Sequence, residues 1–478
     1  MKLQALLQDV ETKSVYTLNP DITNISDDTG KIRRSGLFVC IKGNKFDGHD
    51  FAQKALEKGA EVVICERDLG IKNSVIVEDS RKAYAKICAA FYGNCHKTMR
   101  MIGVTGTNGK TTTSYLLKKI FEDAGYKTGL IGTVNVVIGK EKYPADLTTP
   151  DPTDLHRYLM LMNIAGCNVC IMEVSSQALD QDRVYGINFD CSIYTNLSPE
   201  HLDYHKNMED YAKAKSKLFE ASKISVINAD DKYALKMLEN AVGKTVTYSV
   251  SDTADFHADN IKMTADGVCY RLSHKSDEYH VSFDSIGIFS VYNSMAALSA
   301  AQVMELNLDR AIRSVSRFDG ILGRMEKVEN SFGLNIIIDY AHTPDSLMNA
   351  AKTLKSVYEG KLITVFGCGG DRDKEKRPLM GEVACKYSDF VFVTSDNPRT
   401  ENPEEIINDI TRGLDKTKYF KITDRKLAIK SALYSAKAGD TVLIAGKGHE
   451  KYQILGTQKI YFNEREIIRK LLEDKARF

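Results

Sequence analysis

The sequence predicts an α/β protein of three domains, built from mostly parallel sheets covered by helices. A chain of 478 residues is too long for one ordinary hydrophobic core. Short β-branched and apolar segments alternate with amphipathic helical segments along nearly all of it, as in chains that form parallel sheets. Polar clusters follow many of the apolar segments, which is where ligands gather in open α/β sheets.

The first domain is predicted over residues 1–98 as a smaller α/β domain. It carries the strand-like stretches "LFVCIKG", "AEVVICE" and "SVIVED" and the helical stretch "DFAQKALEKGA". The second domain, over 99–326, is predicted to hold a central, mostly parallel sheet of the P-loop type. Its apolar stretches are "RMIGVT", "VCIMEVSS", "CSIYTNL" and "ISVINADD", and a helix is predicted through "SYLLKKIFEDAG".

The third domain is predicted over 327–478 with a Rossmann-like sheet. Its strands are expected in "NIIIDYA", "LITVFGCGG", "FVFVTSDNPR" and "DTVLIAGKGHE". A change of pattern near "FDGILGRMEKVE", residues 318–329, predicts a hinge between the second and third domains.

Composition narrows the classes of partner. Lys and Arg number 65 and Asp and Glu 64, so no basic excess points to nucleic acid. We find no apolar run near the ~18 residues that a membrane span needs and no signal-peptide pattern at the amino terminus. We therefore expect a cytoplasmic monomer that binds small molecules, without nucleic acid and without membrane insertion.

The ten cysteines lack a regular spacing, and several fall within apolar stretches, so we expect reduced thiols. Cys167 and Cys170 form a C-x-x-C pair, but the pair leads into the apolar stretch "VCIMEV". A place in the hydrophobic core is therefore expected rather than a metal or redox site.

A glycine loop, "GVTGTNGKTTT" at 103–113, lies between a predicted strand and a predicted helix. Gly106 and Gly109 allow the backbone to approach an anion closely, and the helix that follows adds the positive end of its dipole. Lys110 can reach nucleotide phosphates, and Thr111 can offer a hydroxyl to Mg²⁺. Val104 stands where the common G-x-x-x-x-G-K-[ST] motif has glycine, so the loop alone does not specify the nucleotide chemistry.

Further motifs carry a resemblance that extends over nearly the whole chain. They are "TTPDPTDL", "MEVSSQALDQDRV", "TNLSPEHLDYH", "YAKAKSKLF", "YAHTPDSL", "GCGGDRDKEKRPLM", "DNPRTENP" and "GKGHEKYQ". With the loop in its G-x-x-G-x-x-G-K-T-T form, the sequence resembles the Mur ligase family, ATP-dependent enzymes that join an amino acid to a growing peptidoglycan precursor. Within that family it is most similar to the UDP-N-acetylmuramoyl-tripeptide synthetases.

The resemblance implies that a substrate carboxylate attacks the γ-phosphate of ATP, and that an amine then displaces phosphate from the acyl phosphate. Because anions must meet, metal ions and cationic side chains are needed. The implied catalytic residues are Lys110, Glu173, His201 and Lys215, and Thr111, Glu173, His201 and Lys215 are the implied Mg²⁺ ligands.

Lys215 is implied to carry a carbamate formed from CO₂ (N6-carboxylysine). That chemistry requires a neutral amine, hence a lowered pKa. By the residues alone, Lys213, Lys215 and Lys217 would be a solvated helix face.

The resemblance also implies two sets of substrate contacts. The ATP contacts are Gly106, Thr107, Asn108, Gly109, Lys110, Thr111, Thr112, Asn293, Arg324, Asp339 and His342, with a purely structural salt bridge as the alternative for Arg324 and Asp339. The UDP-muramoyl dipeptide contacts are Thr29, His49, Thr148, Thr149, Ser175, Arg183 and Lys215. In "DTGKIRRSGLF", residues 28–38, Thr29 replaces a serine and Gly30 stands where the family commonly has arginine.

The incoming amino acid is implied to bind the third domain, through Arg372, Asp396, Asn397, Pro398, Arg399, Gly446 and Glu450. A guanidinium suits the second carboxylate of meso-diaminopimelate, and we expect Arg399 to hold it, with Arg372 as a second contact. Glu450 can accept hydrogen bonds from the distal ammonium. L-Lysine is the alternative substrate.

Two other functions are compatible with parts of the sequence. A folylpolyglutamate synthetase-like ligase would share the phosphate loop, but it would not explain "DNPR" or the first domain. A P-loop switch without ligase activity would not explain the acid, histidine and lysine that follow the loop.

Overall fold

The computed structural model of the protein describes residues 1–13, 19–43 and 46–477. Within those ranges, no helix combines the length and the apolar character that crossing a bilayer requires. All ten cysteines are free thiols, and Cys167 and Cys170 lie in the core at 4% and 0% exposure, as expected from the sequence.

The amino-terminal part forms a parallel sheet in the order β1-β2-β3-β4. Its elements are α1 (Leu3–Leu6), β1 (Asn24–Ser26), β2 (Gly36–Val39), α2 (Ala52–Glu57), β3 (Ala60–Cys65), β4 (Ser74–Ile76) and α3 (Ser80–Phe91), with 3₁₀ turns at Gly48–Phe51 and Cys95–Thr98. The strand predicted at 74–79 ends at Ile76. The Asp79 side chain caps α3 by accepting from the amides of Arg81 and Lys82.

The central part is built on an eleven-stranded sheet in the order β15-β14-β13-β12-β11-β10-β5-β9-β6-β7-β8. The strands are β5 (Arg100–Thr105), β6 (Thr128–Ile131), β7 (Asn135–Ile138), β8 (Glu141–Pro144), β9 (Val169–Glu173), β10 (Cys191–Tyr194), β11 (Ile224–Asn228), β12 (Lys244–Ser249), β13 (Phe256–Thr264), β14 (Gly267–His274) and β15 (Asp277–Phe283). The run from β13 to β6 is parallel.

Both ends of this sheet turn antiparallel, which the sequence analysis did not predict. At one end β13, β14 and β15 pair antiparallel, and at the other β6, β7 and β8 do so. Strand β14 alternates buried and partly exposed residues over much of its length, because one face packs on the core. That alternation is visible in "GVCYRLSH" and could have identified an antiparallel strand.

The helices of the central part cover this sheet and position the loops. They are α4 (Lys110–Asp123), α5 (Pro152–Ile164), α6 (Ser176–Asp180), α7 (Leu202–His205), α8 (Met208–Glu220), α9 (Ala234–Glu239), α10 (Ile288–Val303) and α11 (Leu308–Ser316). In α4, Leu116, Leu117, Ile120 and Phe121 recur at helical spacing and are buried. They belong to the core cluster that also contains residues of α10 and of the sheet, so the start of α4 is held firmly beneath the phosphate loop.

The carboxyl-terminal part contains a six-stranded sheet in the order β16-β17-β21-β18-β19-β20 and a small hairpin. The elements are β16 (Glu326–Val328), β17 (Asn335–Asp339), α12 (Pro344–Val357), β18 (Leu362–Phe366), α13 (Lys376–Tyr387), β19 (Phe390–Val393), α14 (Pro403–Ile410), β20 (Tyr419–Lys421), α15 (Arg425–Ser435), β21 (Thr441–Ala445), β22 (Tyr452–Leu455), β23 (Gln458–Tyr461) and α16 (Glu464–Lys475). From β17 to β20 the strands are parallel.

The predicted fold class is therefore confirmed: three α/β parts, with a central mostly parallel sheet and a parallel carboxyl-terminal sheet. The boundaries placed at residues 98 and 326 stay a prediction. The polar clusters follow the carboxyl ends of β5, β9, β10, β17, β18, β19 and β21, which is the arrangement that the sequence pattern indicated.

A buried ion pair fastens the last helix to this third sheet. The side chains of Arg425 and Glu464 are 0% and 1% exposed, and Arg425 Nε donates to Glu464 Oε1 at 2.7 Å. Arg425 also donates to the backbone carbonyls of Ala445, at the end of β21, and of Ser395, just beyond β19. Burial raises the pKa of Glu464 even though Arg425 favours its charged form.

We predict that Arg425→Ala lowers the free energy of unfolding of the third sheet by about 3 to 5 kcal/mol, because Glu464 keeps a buried charge without its partner. Replacing both partners by Arg425→Met and Glu464→Leu should recover most of that loss. Chemical denaturation followed by circular dichroism measures this, since the chain contains no tryptophan. The control is Arg469→Ala, at an exposed residue of α16, the helix that carries Glu464. Its free energy of unfolding is expected within about 0.5 kcal/mol of wild type. A single-variant loss below about 1 kcal/mol would contradict the role of the pair.

Candidate active site

The phosphate loop is packed so closely that two of its positions admit only glycine. Gly106 has φ +148°, and a Cβ there would lie 1.9 Å from Thr195 Oγ1, just beyond β10. Gly109 has φ +86°, and a Cβ there would lie 2.3 Å from Asn293 Oδ1 on α10. The loop therefore presents its backbone directly to whatever binds at the start of α4.

Two buried lysines converge on one carbonyl oxygen of this loop. Lys110 Nζ donates to the carbonyls of Gly106 and Thr107, each at 2.8 Å, and Lys215 Nζ donates to Gly106 at 2.9 Å. Burial lowers the pKa of Lys110. Burial, together with the charge of Lys110, puts the pKa of Lys215 well below its ordinary value. The lowered pKa that carbamate chemistry requires of Lys215 is thus present.

The helix α8 explains why Lys215 differs from its lysine neighbours. Tyr211, Lys215 and Leu218 lie on its buried face, whereas Lys213 is exposed and Lys217 is partly exposed. Lys215 Nζ lies 4.7 Å from the ring centroid of Tyr211. The solvated helix face that the sequence allowed therefore describes Lys213 but not Lys215.

A buried carboxylate lies beside the loop without a basic partner. Glu173, at the end of β9, is 0% exposed. It accepts from the hydroxyls of Thr111 and Thr133, at 3.0 and 2.8 Å, and from the amide of Thr133 at 3.2 Å. None of the ion pairs within the described ranges includes Glu173. A buried carboxylate grouped with hydroxyl oxygens is a donor set that suits a hard cation such as Mg²⁺.

His201 and Glu200 follow β10 at the same edge of the sheet. The His201 side chain is 44% exposed, and the partial loss of solvent around its ring, with the charges of the two site lysines, lowers its pKa to about 4, so the ring is neutral at pH 7 and able to ligate a metal. Glu200 lies 3.7 Å from the His201 ring and accepts from His342 Nε2 at 3.1 Å. Burial raises the pKa of Glu200, but the hydrogen bond from His342 and the charge of Lys110 outweigh it and hold that pKa well below its usual range.

Within the described parts of the chain, no three His, Cys, Asp or Glu side chains are grouped closely enough to hold a metal by themselves. Mg²⁺ sites commonly use only one or two carboxylates and take the remaining oxygens from water and substrate phosphates. Thr111 and Glu173 are bonded to each other, whereas no direct contact joins His201 to either of them among the described hydrogen bonds.

A cavity of about 440 Å³ lies between the central and carboxyl-terminal parts. Hydrogen bonds across this junction join His342 to Glu200 and Asn108 Nδ2 to Asp345 at 3.2 Å, and Arg324, in the segment that connects the two parts, donates from Nη2 to Thr111 at 3.3 Å. Most of the residues expected to contact ATP line it: Asn108, Gly109, Thr112, Asn293, Arg324, Asp339 and His342. The Thr107 hydroxyl is hydrogen-bonded to the carbonyl of Ser198 and to the hydroxyl of Tyr211.

Arg324 and Asp339 do not form the salt bridge that was the alternative for them. The Arg324 guanidinium lies 4.6 Å from the ring centroid of Tyr340, and its buried Nε has no partner in the structure. Asp339 accepts from the amides of Met325 and Ala341, at 2.7 and 2.8 Å. Burial raises the pKa of Asp339. Both side chains therefore have hydrogen-bonding capacity directed at the cavity.

Four of the residues expected to hold the UDP-muramoyl dipeptide, Thr148, Thr149, Ser175 and Arg183, form one connected group. Thr149 Oγ1 donates to the Glu173 carbonyl at 2.8 Å and accepts from the Ser175 amide at 2.9 Å. Arg183 Nη1 donates to the Thr149 carbonyl at 2.9 Å, and the hydroxyls of Thr148 and Thr133 lie 3.0 Å apart. This group adjoins the Glu173 cluster, so a peptide carboxylate bound there would lie near the phosphate loop.

A second cavity, of about 640 Å³, lies between the amino-terminal sheet and the central part. Thr29 and Arg81 line it, together with Gln181 from the central part. His49 does not line it, because its ring is buried, with Nδ1 bonded to Asp47 and Nε2 accepting from the Glu66 amide. Asn44 and Lys45, from the stretch "NKFDGHDF" that contains His49, lie outside the described residues.

The residues expected to bind the amino acid meet at the ends of β18, β19 and β21. Asn397 Nδ2 and Lys447 Nζ both donate to Glu450 Oε2, each at 2.9 Å. Asp396 is nearly buried and accepts from the amide of Asn397 at 2.6 Å. Gly446 follows β21, and a Cβ there would lie 2.9 Å from the Asp396 carboxylate.

Two arginines approach this cluster, which we call the amino-acid corner: Arg372 lies in the loop after β18 and Arg399 in the loop after β19. Arg399 has a left-handed backbone, φ +51°, and its Nη1 donates to the Gly370 carbonyl at 2.7 Å. Pro398 accepts from the Glu401 amide, which holds the turn that carries Arg399. Arg372 lies on the facing loop, exposed to solvent. A non-glycine residue held at positive φ is uncommon and is often found at binding sites.

The sequence analysis missed four residues of these sites. Glu200 directly precedes His201 in the same motif, and Lys447 lies within "GKGHE". Asp345 lies in the first turn of α12, whose start is set by a Thr343–Ser346 capping box. Arg81 follows the α3 cap. The first three lie within quoted motifs, where the position after a strand was the available signal.

Comparison with known proteins identifies the family of the chain. The chain matches the pattern described as "Mur ligase family, catalytic domain" over residues 21–92, "Mur ligase middle domain" over 104–301, and "Mur ligase, glutamate ligase domain" over 323–448. A curated relative from Clostridium acetobutylicum, UDP-N-acetylmuramoyl-L-alanyl-D-glutamate--2,6-diaminopimelate ligase 1, is 43% identical over 99% of this chain and 100% of its own.

Solved structures agree with the sequence relatives. One described as UDP-N-acetylmuramoyl-L-alanyl-D-glutamate--2,6-diaminopimelate ligase has 33% identity and a TM-score of 0.71, covering 100% of this chain and 99% of that one. A Mycobacterium tuberculosis folylpolyglutamate synthase complexed with ADP shares only the fold, with 17% identity and a TM-score of 0.65 over 76% of this chain and 91% of that one. The chain therefore belongs to the Mur ligase family and is an ATP-dependent ligase.

Proposed function

We propose that this ligase adds meso-2,6-diaminopimelate to UDP-N-acetylmuramoyl-L-alanyl-D-glutamate through an acyl phosphate, in the cytoplasmic synthesis of peptidoglycan precursors. The proposal rests on three groups of residues that meet at one junction. These are the phosphate loop with its two buried lysines, the Glu173 cluster next to Thr149 and Arg183, and a corner with both carboxylates and arginines. The full-length likeness to ligases of that name supports it.

The reaction proceeds in two displacements. A carboxylate oxygen of the dipeptide attacks the γ-phosphorus of ATP, and the bond to the bridging oxygen of ADP breaks. The amine of the incoming amino acid then attacks the acyl carbon, and phosphate leaves as the amide forms. Lys110 would stabilise the charge on the moving phosphoryl group, and the Gly109 amide of the loop would face its oxygens.

The Mg²⁺ that such a reaction uses would neutralise phosphate and carboxylate charge when bound. Thr111 and Glu173 supply the first set of ligands, supported by their mutual contact, and His201 and a carbamate on Lys215 are proposed for a second ion. Lys215 can form the carbamate because its buried amine has a lowered pKa. The ammonium first loses one proton; the neutral nitrogen then bonds to the carbon of CO₂ and releases a second proton, so a cation becomes an anionic ligand.

The amino-acid corner favours diaminopimelate over L-lysine. Arg399, with Arg372 nearby, offers guanidinium groups to a second carboxylate, and Glu450 and Asp396 face an ammonium. A substrate without the carboxylate would leave a guanidinium unpaired, which lowers its efficiency. We also propose that the protein acts as a monomer, because the sites described here are completed within one chain.

We predict that phosphate release from ATP requires both the UDP-muramoyl dipeptide and the amino acid. Exposed acyl phosphate would hydrolyse, so hydrolysis should stay low until both substrates are bound and the junction is closed. A coupled phosphate assay, with each substrate omitted in turn, measures this. Rapid ATP hydrolysis in the absence of both substrates would instead favour a P-loop switch.

We predict that wild-type enzyme uses meso-diaminopimelate with a kcat/KM at least ~100-fold above that for L-lysine, and that Arg399→Ala removes most of this difference. Arg399→Lys keeps the charge but not the fork, so it should recover part of the preference. The assay compares kcat/KM for the two amino acids in the three proteins. Equal efficiency of the wild type with both would remove the diaminopimelate assignment.

We predict that Lys215→Ala loses nearly all activity and that formate or bicarbonate restores a measurable part of it, because a small carboxylate can occupy the space of the carbamate. Lys213→Ala, on the exposed side of α8, is the matched control and should keep wild-type activity. Turnover is measured with and without the added acid. Loss without any rescue would argue for a structural role of the Lys215 ammonium.

A further inference from the structure

A buried lysine that the proposed mechanism does not use lies inside the amino-acid corner. The side chain of Lys447 is 0% exposed. Its Nζ donates to Asn397 Oδ1 at 3.0 Å and to Glu450 Oε2 at 2.9 Å, and it lies 5.7 Å from the ring centroid of Tyr452. Asp396 is close enough that the charge of Lys447 lowers its pKa, against the opposing effect of burial.

These contacts weaken the attraction of Glu450 for a second cation. Its Oε2 already accepts from two donors, Lys447 and the Asn397 amide group. The carboxylate and the ammonium form a neutral pair in a poorly solvated site, where charges interact strongly. Such a pair attracts a further ammonium much less than a free carboxylate would.

Other positive charges lie on the opposite side of the corner. A Cβ on Gly369 would lie 3.0 Å from Arg399 Nη1 and 3.9 Å from Arg372 Cγ, so both arginines reach the same loop. The three cations Lys447, Arg399 and Arg372 outnumber the two carboxylates of the corner, Glu450 and Asp396, so an amino acid that brings only a distal ammonium adds to an excess of positive charge. One that brings an ammonium and a carboxylate together adds no net charge.

We propose that Lys447 is a specificity-determining residue for the incoming amino acid. Its buried ammonium neutralises Glu450 and thereby excludes a side chain with a lone positive charge, while a side chain that is zwitterionic at its distal end is admitted. Specificity then rests on a repulsive element as well as on the attraction of Arg399. This inference rests on the proposed function, because it concerns the amino acid that the ligase adds.

The wild-type enzyme provides the first test. L-Lysine and L-norleucine, which lacks the distal ammonium, are compared as competitive inhibitors of diaminopimelate incorporation. If Lys447 cancels Glu450, norleucine should inhibit at least as strongly as lysine. Clearly stronger inhibition by lysine would show that Glu450 attracts a lone ammonium, and would overturn the inference.

The second test is Lys447→Met, which keeps much of the side-chain volume and removes the charge. We expect the ratio of kcat/KM for diaminopimelate to that for lysine to fall about tenfold, and lysine to become a better inhibitor than norleucine. The KM for ATP should stay at its wild-type value. Lys430→Met, an exposed lysine on α15 of the same sheet, is the matched control and should leave the ratio unchanged.

The outcomes separate the possible failures. If Lys447 is only structural, Lys447→Met lowers kcat/KM for both amino acids by the same factor, and the inference is wrong. If the wild type does not prefer diaminopimelate at all, the proposed function fails instead. If Lys447→Met does not fold, Lys447→Met with Glu450→Gln removes both charges of the pair, and the wild-type inhibitor comparison still decides.

Discussion

The carbonyl oxygen of Gly106 accepts hydrogen bonds from two buried ammonium groups, those of Lys110 and Lys215. Two like charges sharing one acceptor in a buried place is a costly arrangement, and burial and mutual repulsion lower the pKa of Lys215 accordingly. An anion reduces that cost. The phosphate loop is therefore organised around negative charge that the substrates bring, and the position of α8 against β5 is what allows Lys215 to reach it.

Two carboxylates, those of Glu173 and Glu200, lie at the same edge of the central sheet. Glu173 is buried among hydroxyl groups, and Glu200 is held by His342 from the carboxyl-terminal part. Glu173 therefore has hydroxyl donors but no cationic partner among the described ion pairs. Glu200 accepts its hydrogen bond across the junction between two parts of the chain. Binding of nucleotide, metal and peptide acid at this junction would couple the chemistry to the closure of the third part onto the second.

Local features of the sequence predicted some residues of the site and not others. The glycine loop and the strand-end acids were predictable, because strand–loop–helix order and strand ends are local features of the chain. Lys215 was implied only by the resemblance to the Mur ligase family. His49 was expected at a substrate contact, yet its ring is buried and holds Asp47 and Glu66. The antiparallel strands β13 to β15 were missed because apolar content was weighed above period-two alternation.

Local pattern was enough for the fold class, the phosphate loop and the family, since these depend on hydrophobic periodicity and on motifs of contiguous residues. The pairing of Glu200 with His342, of Lys447 with Asn397, and of Arg324 with Thr111 depended on packing between segments far apart in the chain. A side chain's charge state and partners follow from which distant surfaces exclude water around it, and that exclusion exists only after the sheets have docked.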